Sequence, residues 1–313
     1  MTKEIQLQIL YSPNSGIGQA QNQANQAFIN LSKDYPLKKE VVLQSVFDPL
    51  PETTNQSLTL LHAGDGSYFS LLAESLNHPN QFIIPMGGGG ENVAARQFGT
   101  YGIPASPILD RILKPPSRLE DSFEKKSPWQ AKNLLTGETY NFFWFFSVGG
   151  TISAQLLKRL EDLREIYPDS YNQRRAQALL GFISNSPRQH SQVIHGNDFS
   201  PNGAESIVTT GYIHNLANFY IGDKPQILHL PDPSKERQHS APTAALLAIA
   251  TLALGLPGME RSPINLHKPL TLKHLSGHLG IDSEVIPNIG SADFSILPPK
   301  SENFAWFPKT IID

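Results

Sequence analysis

Three glycine-bearing turns in the N-terminal third of the sequence contain the residues best suited to chemistry. Residues 12–18 are Ser-Pro-Asn-Ser-Gly-Ile-Gly, residues 63–67 are Ala-Gly-Asp-Gly-Ser, and residues 87–90 are four glycines. The backbone N–H groups of glycine approach a phosphate closely because no side chain intervenes, and a following helix turns its positive end toward the anion. Together the three turns predict a site for a phosphate-bearing ligand.

Asp65 is the side chain in these turns that is best suited to take part in a reaction. It stands between Gly64 and Gly66, in a turn that would present its carboxylate at the edge of a sheet. There it could accept a proton or orient a metal ion. An aspartate at such a place also serves as a helix N-cap or a turn residue, so the spacing alone leaves both roles open.

The residues after the glycines exclude one common phosphate-binding motif and weaken another. A Walker A loop requires a lysine directly after its last glycine, and no lysine follows these glycines. The dinucleotide fingerprint G-x-G-x-x-G begins at Gly16 and Gly18 but has Gln21 where its third glycine is required. A P-loop enzyme is therefore excluded, and a dehydrogenase remains an alternative with an incomplete motif.

The segments around these turns alternate between short apolar runs and longer helical patterns, which is typical of βα units in a parallel sheet. We predict strands at residues 6–12, 40–47, 58–63 and 82–86. We predict helices at residues 19–34 and 92–98, and a further helix that ends at residue 76. In an open α/β sheet, ligands bind beyond the carboxyl ends of the strands, where the three turns would gather.

The composition changes after Gly99, and the later sequence is mostly β. Prolines and alternating charges in residues 103–128 indicate a crossing between domains. A Thr136-Gly137 turn is expected to join the first two strands of this part into a hairpin. The predicted strands are residues 130–135, 140–146, 206–213, 218–221, 270–275, 279–285 and 305–311; the predicted helices are 152–166 and 243–254, and the predicted polar loop is 184–203.

These patterns predict the α/β fold class, with two domains. Residues 1–106 are expected to form an N-terminal parallel-sheet α/β domain. Residues 107–313 are expected to form a C-terminal β-rich domain, similar to a β-sandwich and containing a few helices, and its last segment is free to return to the first domain.

Composition and charge exclude several classes of function. The 313 residues include 25 Lys and Arg against 28 Asp and Glu, a net charge of -3, so we expect no nucleic-acid partner. The absence of cysteine excludes disulfides, thiol nucleophiles and cysteine zinc sites. The N-terminus shows no signal-peptide pattern, and the apolar residues 241–256 are too few to span a bilayer and are predicted to form a buried helix. We expect a cytoplasmic protein, or one that is peripheral at a membrane.

The order of the three turns resembles the diacylglycerol kinase catalytic domain family, which includes sphingosine kinases and bacterial lipid kinases. The family motifs N-P-x-S-G-x-G and G-G-D-G-T are similar to residues 12–18 and 63–67. The family motif G-T-x-N, followed by A-R and a glycine, is similar to residues 89–99. Asp282-Ser283-Glu284 resembles the late D-G-E motif.

The resemblance implies an ATP-dependent and Mg²⁺-dependent lipid kinase. Residues 1–106 would be its nucleotide-binding domain and residues 107–313 its lipid-binding or acceptor-binding domain, with a cleft between the two. The γ-phosphoryl group would pass to the hydroxyl of a lipid such as diacylglycerol or a sphingoid base. The implied partners are ATP, a lipid alcohol and, transiently, a membrane surface, and a homodimer is left open.

The resemblance also implies roles for individual residues. Asp65 matches the aspartate assigned to general-base or metal-linked catalysis. Asp282 and Glu284 match the late acidic pair, with catalytic and metal-binding roles, and two such residues on one strand would point to the same face. The nucleotide-binding positions are Ser15, Gly16, Gly64, Gly66, Ser67, Gly88, Gly89, Gly90 and Asn92.

Several positions depart from the family pattern, and two alternatives follow from them. Phe69 and Ser70 stand where an Asn-Glu pair often follows G-D-G-T, and Glu91 would place a negative charge near the phosphate site. Ser12, Ala63, Ser67 and Ser283 replace Asn, Gly, Thr and Gly of the motifs. The first alternative is a catalytically impaired nucleotide-binding or lipid-binding homologue on the same fold, and the second is a relative of the NAD kinases.

Overall fold

The computed structural model of the protein describes residues 5–13, 15, 19–34, 42–45, 56–89, 92–113, 118–149, 162–163, 166–167, 173–174, 177–178, 191–200, 203–216, 219–231, 260–282, 284–300 and 302–311. The predicted helix at 243–254, the apolar segment 241–256 and most of the predicted helix at 152–166 lie outside them. The chain divides into two compact units. Unit 1 is Met1–Ser127 with Ser301–Asp313, and unit 2 is Pro128–Lys300.

Unit 1 begins with the alternating strands and helices that the sequence predicts. Its first strands are β1 (Gln6–Tyr11), β2 (Val42–Ser45), β3 (Ser57–His62), β4 (Gln81–Pro85) and β5 (Phe123–Lys126). Its helices are α1 (Gln19–Asp34), α2 (Asp65–Ser75), α3 (Val93–Gln97) and α4 (Ala105–Ile112), followed by a 3₁₀ turn at Leu119–Ser122. Strand β1 pairs in parallel with β2 and β3, and β3 pairs in parallel with β4.

The core of unit 1 surrounds β3 and β4, which are rich in apolar residues. Every residue of these two strands is buried, as expected for parallel strands that are covered on both faces. On one face Leu58 and Leu60 pack with Ala24 and Leu31 of α1. The apolar runs therefore fix both the position of the strands and the edge at which their turns emerge.

Residues 103–128, which we interpreted as a crossing between domains, instead contribute to unit 1. They contain α4, whose Ile108, Leu109 and Ile112 are buried in the core of this unit, and also β5. The prolines obscured the helix because Pro104 and Pro107 lie at its start, where proline is tolerated.

Unit 2 is β-rich, as predicted, and all of its described strand pairs are antiparallel. The strands are β6 (Trp129–Asn133), β7 (Thr139–Phe142), β8 (Phe145–Val148), β9 (Ser191–His195), β10 (Asp198–Phe199), β11 (Gly203–Thr209), β12 (Asn215–Leu216), β13 (Phe219–Tyr220), β14 (Gln226–Pro231), β15 (Glu260–Pro263), β16 (Leu270–His274), β17 (Gly277–Ile281), β18 (Glu284–Ile289) and β19 (Ala292–Leu297). The main path of the sheet is β18-β17-β8-β11-β9-β16-β19-β6-β7, and β12 pairs with β13 apart from it.

Three predictions in unit 2 differ from the structure. The predicted strand at 279–285 is two strands, β17 and β18, because the backbone turns at Asp282 with a φ of 53°. The predicted strand at 140–146 is likewise divided into β7 and β8. The predicted loop at 184–203 contains β9 and β10, and the register that places β9 beside β16 is a non-local pairing that its local composition does not reveal.

The chain returns to unit 1 through β20 (Ala305–Pro308). This strand pairs in parallel with β4 and antiparallel with β5, which completes the sheet order β2-β1-β3-β4-β20-β5. Trp306 of β20 stacks on Phe82 of β4 with 4.9 Å between ring centroids. None of the helices in the described ranges has the length and apolar character needed to cross a bilayer. The predicted fold class is confirmed.

Candidate functional site

The glycine turns follow three strands that are neighbours in the sheet, in the order β1-β3-β4. Their carboxyl ends therefore share one edge, which is where ligands bind in open α/β sheets. The first two turns are in direct contact, because the backbone N–H of Gly64 donates a hydrogen bond to Ser15 Oγ at 3.3 Å. The predicted gathering of the turns at one edge is observed for their described residues.

The second and third turns are packed backbone to backbone. A Cβ atom added to Gly89 would lie 2.5 Å from the Cα of Gly64, which is too close for any side chain. A Cβ atom on Gly88, whose φ is 150°, would lie 2.9 Å from the Cβ of Ala20 and 3.1 Å from the N of Ala63. Glycine is therefore required here for contact between the turns themselves.

Asp65 links the second turn to the helix that follows the third. It is the first residue of α2, and its two carboxylate oxygens accept hydrogen bonds from the N–H groups of Val93 and Ala94, each at 3.0 Å. Val93 and Ala94 begin α3, so these N–H groups have no acceptor within their own helix. A carboxylate at a helix N-terminus is also favoured by the helix dipole. Asp65 thus caps α3 from a different element.

Asn92 holds the bend between β4 and α3. Its backbone is left-handed, with a φ of 52°, a conformation that asparagine tolerates better than most residues. Its Oδ1 accepts hydrogen bonds from the N–H groups of Gly88 at 2.9 Å and Gly89 at 2.8 Å, and its Nδ2 donates to the carbonyl of Gly89 at 2.8 Å. The side chain replaces the hydrogen bonds that this irregular backbone would otherwise lack.

The structure brings five of the predicted nucleotide-binding residues together at this edge with the predicted catalytic residue Asp65. The five are Ser15, Gly64, Gly88, Gly89 and Asn92. Gly66 and Ser67 follow in the first turn of α2. Gly16 and Gly90 lie outside the described residues.

Asp282 belongs to unit 2 and lies in the turn between β17 and β18, where it is buried. Its Oδ1 accepts hydrogen bonds from the N–H groups of Phe143 at 3.2 Å, Trp144 at 2.7 Å and Phe145 at 3.1 Å, and its Oδ2 accepts one from Phe143 at 3.1 Å. The pKa of Asp282 is raised to about 7. Burial is the largest cause and the negative charge of Glu284 acts in the same direction, whereas the hydrogen bonds from the N–H groups lower the pKa.

This arrangement differs from the predicted acidic pair on one strand. Asp282 is in a turn and buried, whereas Glu284 is the first residue of β18 and exposed. Mg²⁺ needs carboxylate oxygens that are open to it, and the oxygens of Asp282 are already used by backbone amides, so Asp282 as it stands does not fit a magnesium ligand. In the described ranges, no group of three or more His, Asp or Glu side chains is placed to share a metal. Metal binding by this pair, and its meeting with Asp65 in one cleft, stay predictions.

His62 is a residue of this edge that the sequence analysis missed. It is the last residue of β3, its side chain is 6% exposed, and neither ring nitrogen has a hydrogen-bond partner in the part of the chain that the structure describes. Burial lowers its pKa to about 4. The available signal was a single histidine at the end of a leucine-rich strand, directly before Ala63 and Gly64.

Comparison with solved structures finds the same architecture over nearly the whole chain. Two structures from Bacillus anthracis str. Sterne, which carry the provisional description of diacylglycerol kinase, match with TM-scores of 0.54 and 0.55 at 13% and 12% identity; in both, the match covers 95% of this chain and 95% of that chain. The protein has the diacylglycerol kinase fold. The resemblance that the motifs indicated is thereby confirmed for the fold.

A solved structure with a different described activity shares this architecture. An NAD kinase from Archaeoglobus fulgidus, solved in complex with ATP, matches with a TM-score of 0.50 at 12% identity, over 97% of this chain and 94% of that chain. No family model matches the sequence, and no curated protein matches it. The comparisons therefore establish the fold and leave the reaction to the argument from the site.

Proposed function

We propose that this protein is a kinase that transfers the γ-phosphoryl group of ATP to the hydroxyl group of a lipid, such as diacylglycerol or a sphingoid base. The observation that carries the proposal is the contact of Gly64 with both Ser15 and Gly89. It joins the three motif segments at the carboxyl edge of β1, β3 and β4. The complex of an NAD kinase of this fold with ATP supports a nucleotide as the ligand.

The nucleotide phosphates would lie against the turns, and backbone N–H groups would bind them more than side chains would. The first-turn N–H groups of α2, which include those of Gly66 and Ser67, have no acceptor within the helix and point toward this edge. Ser15 adds a hydroxyl, and Asn92 keeps the Gly88-Gly89 bend in place. Phosphoryl transfer depends mainly on positioning and charge stabilisation, which such a site can supply.

Asp65 is the proposed catalytic carboxylate. Asp65 accepts hydrogen bonds from the N–H groups of Val93 and Ala94, which hold its carboxylate at this edge. A carboxylate positioned in this way can accept a proton as a general base. Mg²⁺ bound with ATP would neutralise charge on the phosphates. Through the family resemblance, Glu284 keeps its proposed part in catalysis and metal binding, and Asp282 keeps its proposed part in catalysis. The oxygens of Asp282 accept hydrogen bonds from backbone N–H groups, so metal binding is not proposed for it.

A non-catalytic nucleotide-binding or lipid-binding protein is the second candidate, and a specific observation favours it. Both carboxylate oxygens of Asp65 are already occupied by N–H groups of α3. In addition, Phe69 stands at the place of a polar family residue and is buried against the ring of Tyr68, with 5.2 Å between centroids. A protein that had kept the fold and lost the reaction would show both features.

Incubation of the purified protein with Mg²⁺ and γ-labelled ATP, together with a panel of lipid alcohols and with NAD, tests the proposal. Transfer of label to a lipid, reduced at least a hundredfold in Asp65→Asn and unchanged in Asp223→Asn, supports the lipid kinase. Asp223 is an exposed aspartate of unit 2 and serves as the matched control. Saturable binding of ATP without transfer to any acceptor supports the second candidate, and transfer to NAD alone would replace the lipid with a nucleotide acceptor.

A lipid acceptor has consequences for membrane contact and for the location of the protein in the cell. A kinase acting on lipid hydroxyls must touch a membrane surface at least transiently, and we propose such a peripheral contact for a cytoplasmic protein. Sedimentation with lipid vesicles in the presence and absence of ATP measures the contact. The same preparation, run alone in analytical ultracentrifugation, distinguishes a monomer from a homodimer.

A further inference from the structure

His62 is a buried imidazole whose hydrogen-bonding capacity is unused. It ends β3, directly before the turn that contains Asp65, and is 6% exposed. Within the described part of the chain, neither Nδ1 nor Nε2 has a hydrogen-bond partner. Burial lowers its pKa to about 4, so near neutral pH the ring is uncharged and has one N–H donor and one acceptor nitrogen.

A second buried histidine shows how the fold treats an imidazole with a purely structural role. His274 of unit 2 is fully buried. The N–H of Gly149 lies 3.0 Å from its Nδ1, and the carbonyl of Ile289 lies 3.1 Å from its Nε2. Both nitrogens of His274 are satisfied within the protein, as is usual for buried polar groups. His62 is different because no group in the described ranges is a partner of either nitrogen.

The position of His62 brings it under the start of α1. Side chains alternate along a strand, so His62 lies on the same face as Leu58 and Leu60, and that face packs against α1. The Cβ position of Gly88 would be 2.9 Å from the Cβ of Ala20 in the first turn of α1 and 3.2 Å from the carbonyl carbon of His62. The start of α1, the Gly88 bend and the backbone of His62 therefore meet at one point of the edge, and the side chain of His62 lies on the face that α1 covers.

This point has the chemistry of an anion site with a neutral donor. Helix α1 is 16 residues long, and its first N–H groups lack acceptors within the helix and form its positive end. A buried polar group without a partner costs free energy that a hydrogen bond to a ligand would recover. An uncharged imidazole that donates one hydrogen bond suits an oxygen that already carries negative charge.

We propose that His62 binds the nucleotide directly, donating a hydrogen bond from its ring to a phosphate oxygen at the start of α1. The proposal rests on the proposed function, since it takes a nucleotide as the ligand of this edge. His62 is outside the motifs that carry the family resemblance, and its role is recognition of the phosphate chain, without proton transfer.

Calorimetric titration of the full-length protein with a non-hydrolysable ATP analogue and Mg²⁺ tests this role. His62→Leu removes both nitrogens and keeps an apolar side chain of moderate size. We expect it to raise the Kd about tenfold or more, the factor that a hydrogen bond to a charged group contributes. His78→Leu, the same substitution at an exposed histidine after α2, should leave the Kd unchanged.

Two further readouts separate ligand contact from a structural role. A structural histidine would change the Tm of the free protein without changing the Kd, whereas a ligand-binding histidine changes the Kd while the Tm stays equal or rises. In wild-type protein labelled with ¹⁵N-histidine, the ring nitrogens of His62 should shift when the analogue saturates the site. This measurement needs no variant and so remains informative if His62→Leu fails to fold.

The outcomes distinguish this inference from the proposed function. Wild-type protein that binds the analogue, with His62→Leu binding equally tightly or with unchanged ring-nitrogen signals, overturns the role of His62 and leaves the kinase proposal standing. Wild-type protein that shows no saturable binding overturns the nucleotide site and the role of His62 together.

Discussion

The carboxylate of Asp282 accepts a hydrogen bond of 2.7 Å from the backbone N–H of Trp144, a residue 138 positions earlier in the chain. Phe143 and Phe145 donate to the same carboxylate, and the N–H of Asp282 donates in return to the carbonyl of Phe145 at 2.8 Å. The β17–β18 turn thus holds the segment between β7 and β8 in place. The division into β7 and β8 depends on the side chain of Asp282.

We predict that replacing Asp282 destabilises unit 2 in a defined order. Asp282→Ala leaves three buried N–H groups without an acceptor and should lower the free energy of unfolding by about 3 kcal/mol or more. Asp282→Asn should cost less, because its amide oxygen still accepts hydrogen bonds and asparagine tolerates the left-handed backbone at this position. Urea denaturation measures the order, and equal midpoints for wild type and Asp282→Ala would contradict it.

Gly89→Ala should force apart the second and third turns. The new Cβ would lie 2.5 Å from the Cα of Gly64, and neither backbone can move without separating the turns. We expect a loss of about 2 kcal/mol in the free energy of unfolding together with weaker binding of an ATP analogue. Gly290→Ala is the matched control, since open space surrounds that glycine. If both alanine variants bind the nucleotide as wild type does, the packed turns are not its site.

Asn92→Ala should release the bend formed by Gly88 and Gly89. The variant loses the acceptor of two N–H groups and the donor to one carbonyl, and we expect a loss of about 2 kcal/mol in the free energy of unfolding. The sharper measurement is hydrogen exchange, in which the Gly88 and Gly89 amides should exchange faster. Asn92→Asp keeps the acceptor oxygen, so slow exchange should return in part; equally fast exchange in both variants would argue against the role of Oδ1.

His62 should make the protein less stable at acid pH. Its pKa is lowered by burial from 6.5 to about 4, so the folded state prefers the neutral ring. Its contribution to stability is present above pH 6.5 and is lost as the pH falls toward 4. The free energy of unfolding of wild type relative to His62→Leu should therefore fall as the pH is lowered through this window. A difference that stays constant with pH would show that the ring is not held neutral by the fold.

Elements whose signal is local were predictable from the sequence. Helix α1 has the predicted bounds, and β3 and β4 were found because strands buried on both faces are rich in apolar residues. The adjacency of the glycine turns followed from the same pattern, since successive parallel strands place their turns at one edge.

Features that depend on distant parts of the chain were not predictable. The apolar residues Leu279, Ile281 and Val285 suggest one strand, and only the contact of Asp282 with residues 143–145 explains why the chain turns there. The sequence left a catalytic role and a local capping or turn role open for Asp65. Its hydrogen bond to the N–H of Val93, in a different element, depends on the fold and could not be predicted. His62 belongs to no motif. It stands out only because its buried ring has no hydrogen-bond partner among the residues that the structure describes.

The place of β20 affects how the protein can be made in the cell. Unit 2 occupies the chain between β5 and β20, and β20 lies between β4 and β5 in the first sheet. During translation the sheet of unit 1 cannot be completed when its first five strands leave the ribosome. One edge of β4 stays unpaired until all of unit 2 and then β20 have been synthesised. Unit 2 can therefore be the first to complete its fold, which reverses the usual N-terminal-first order.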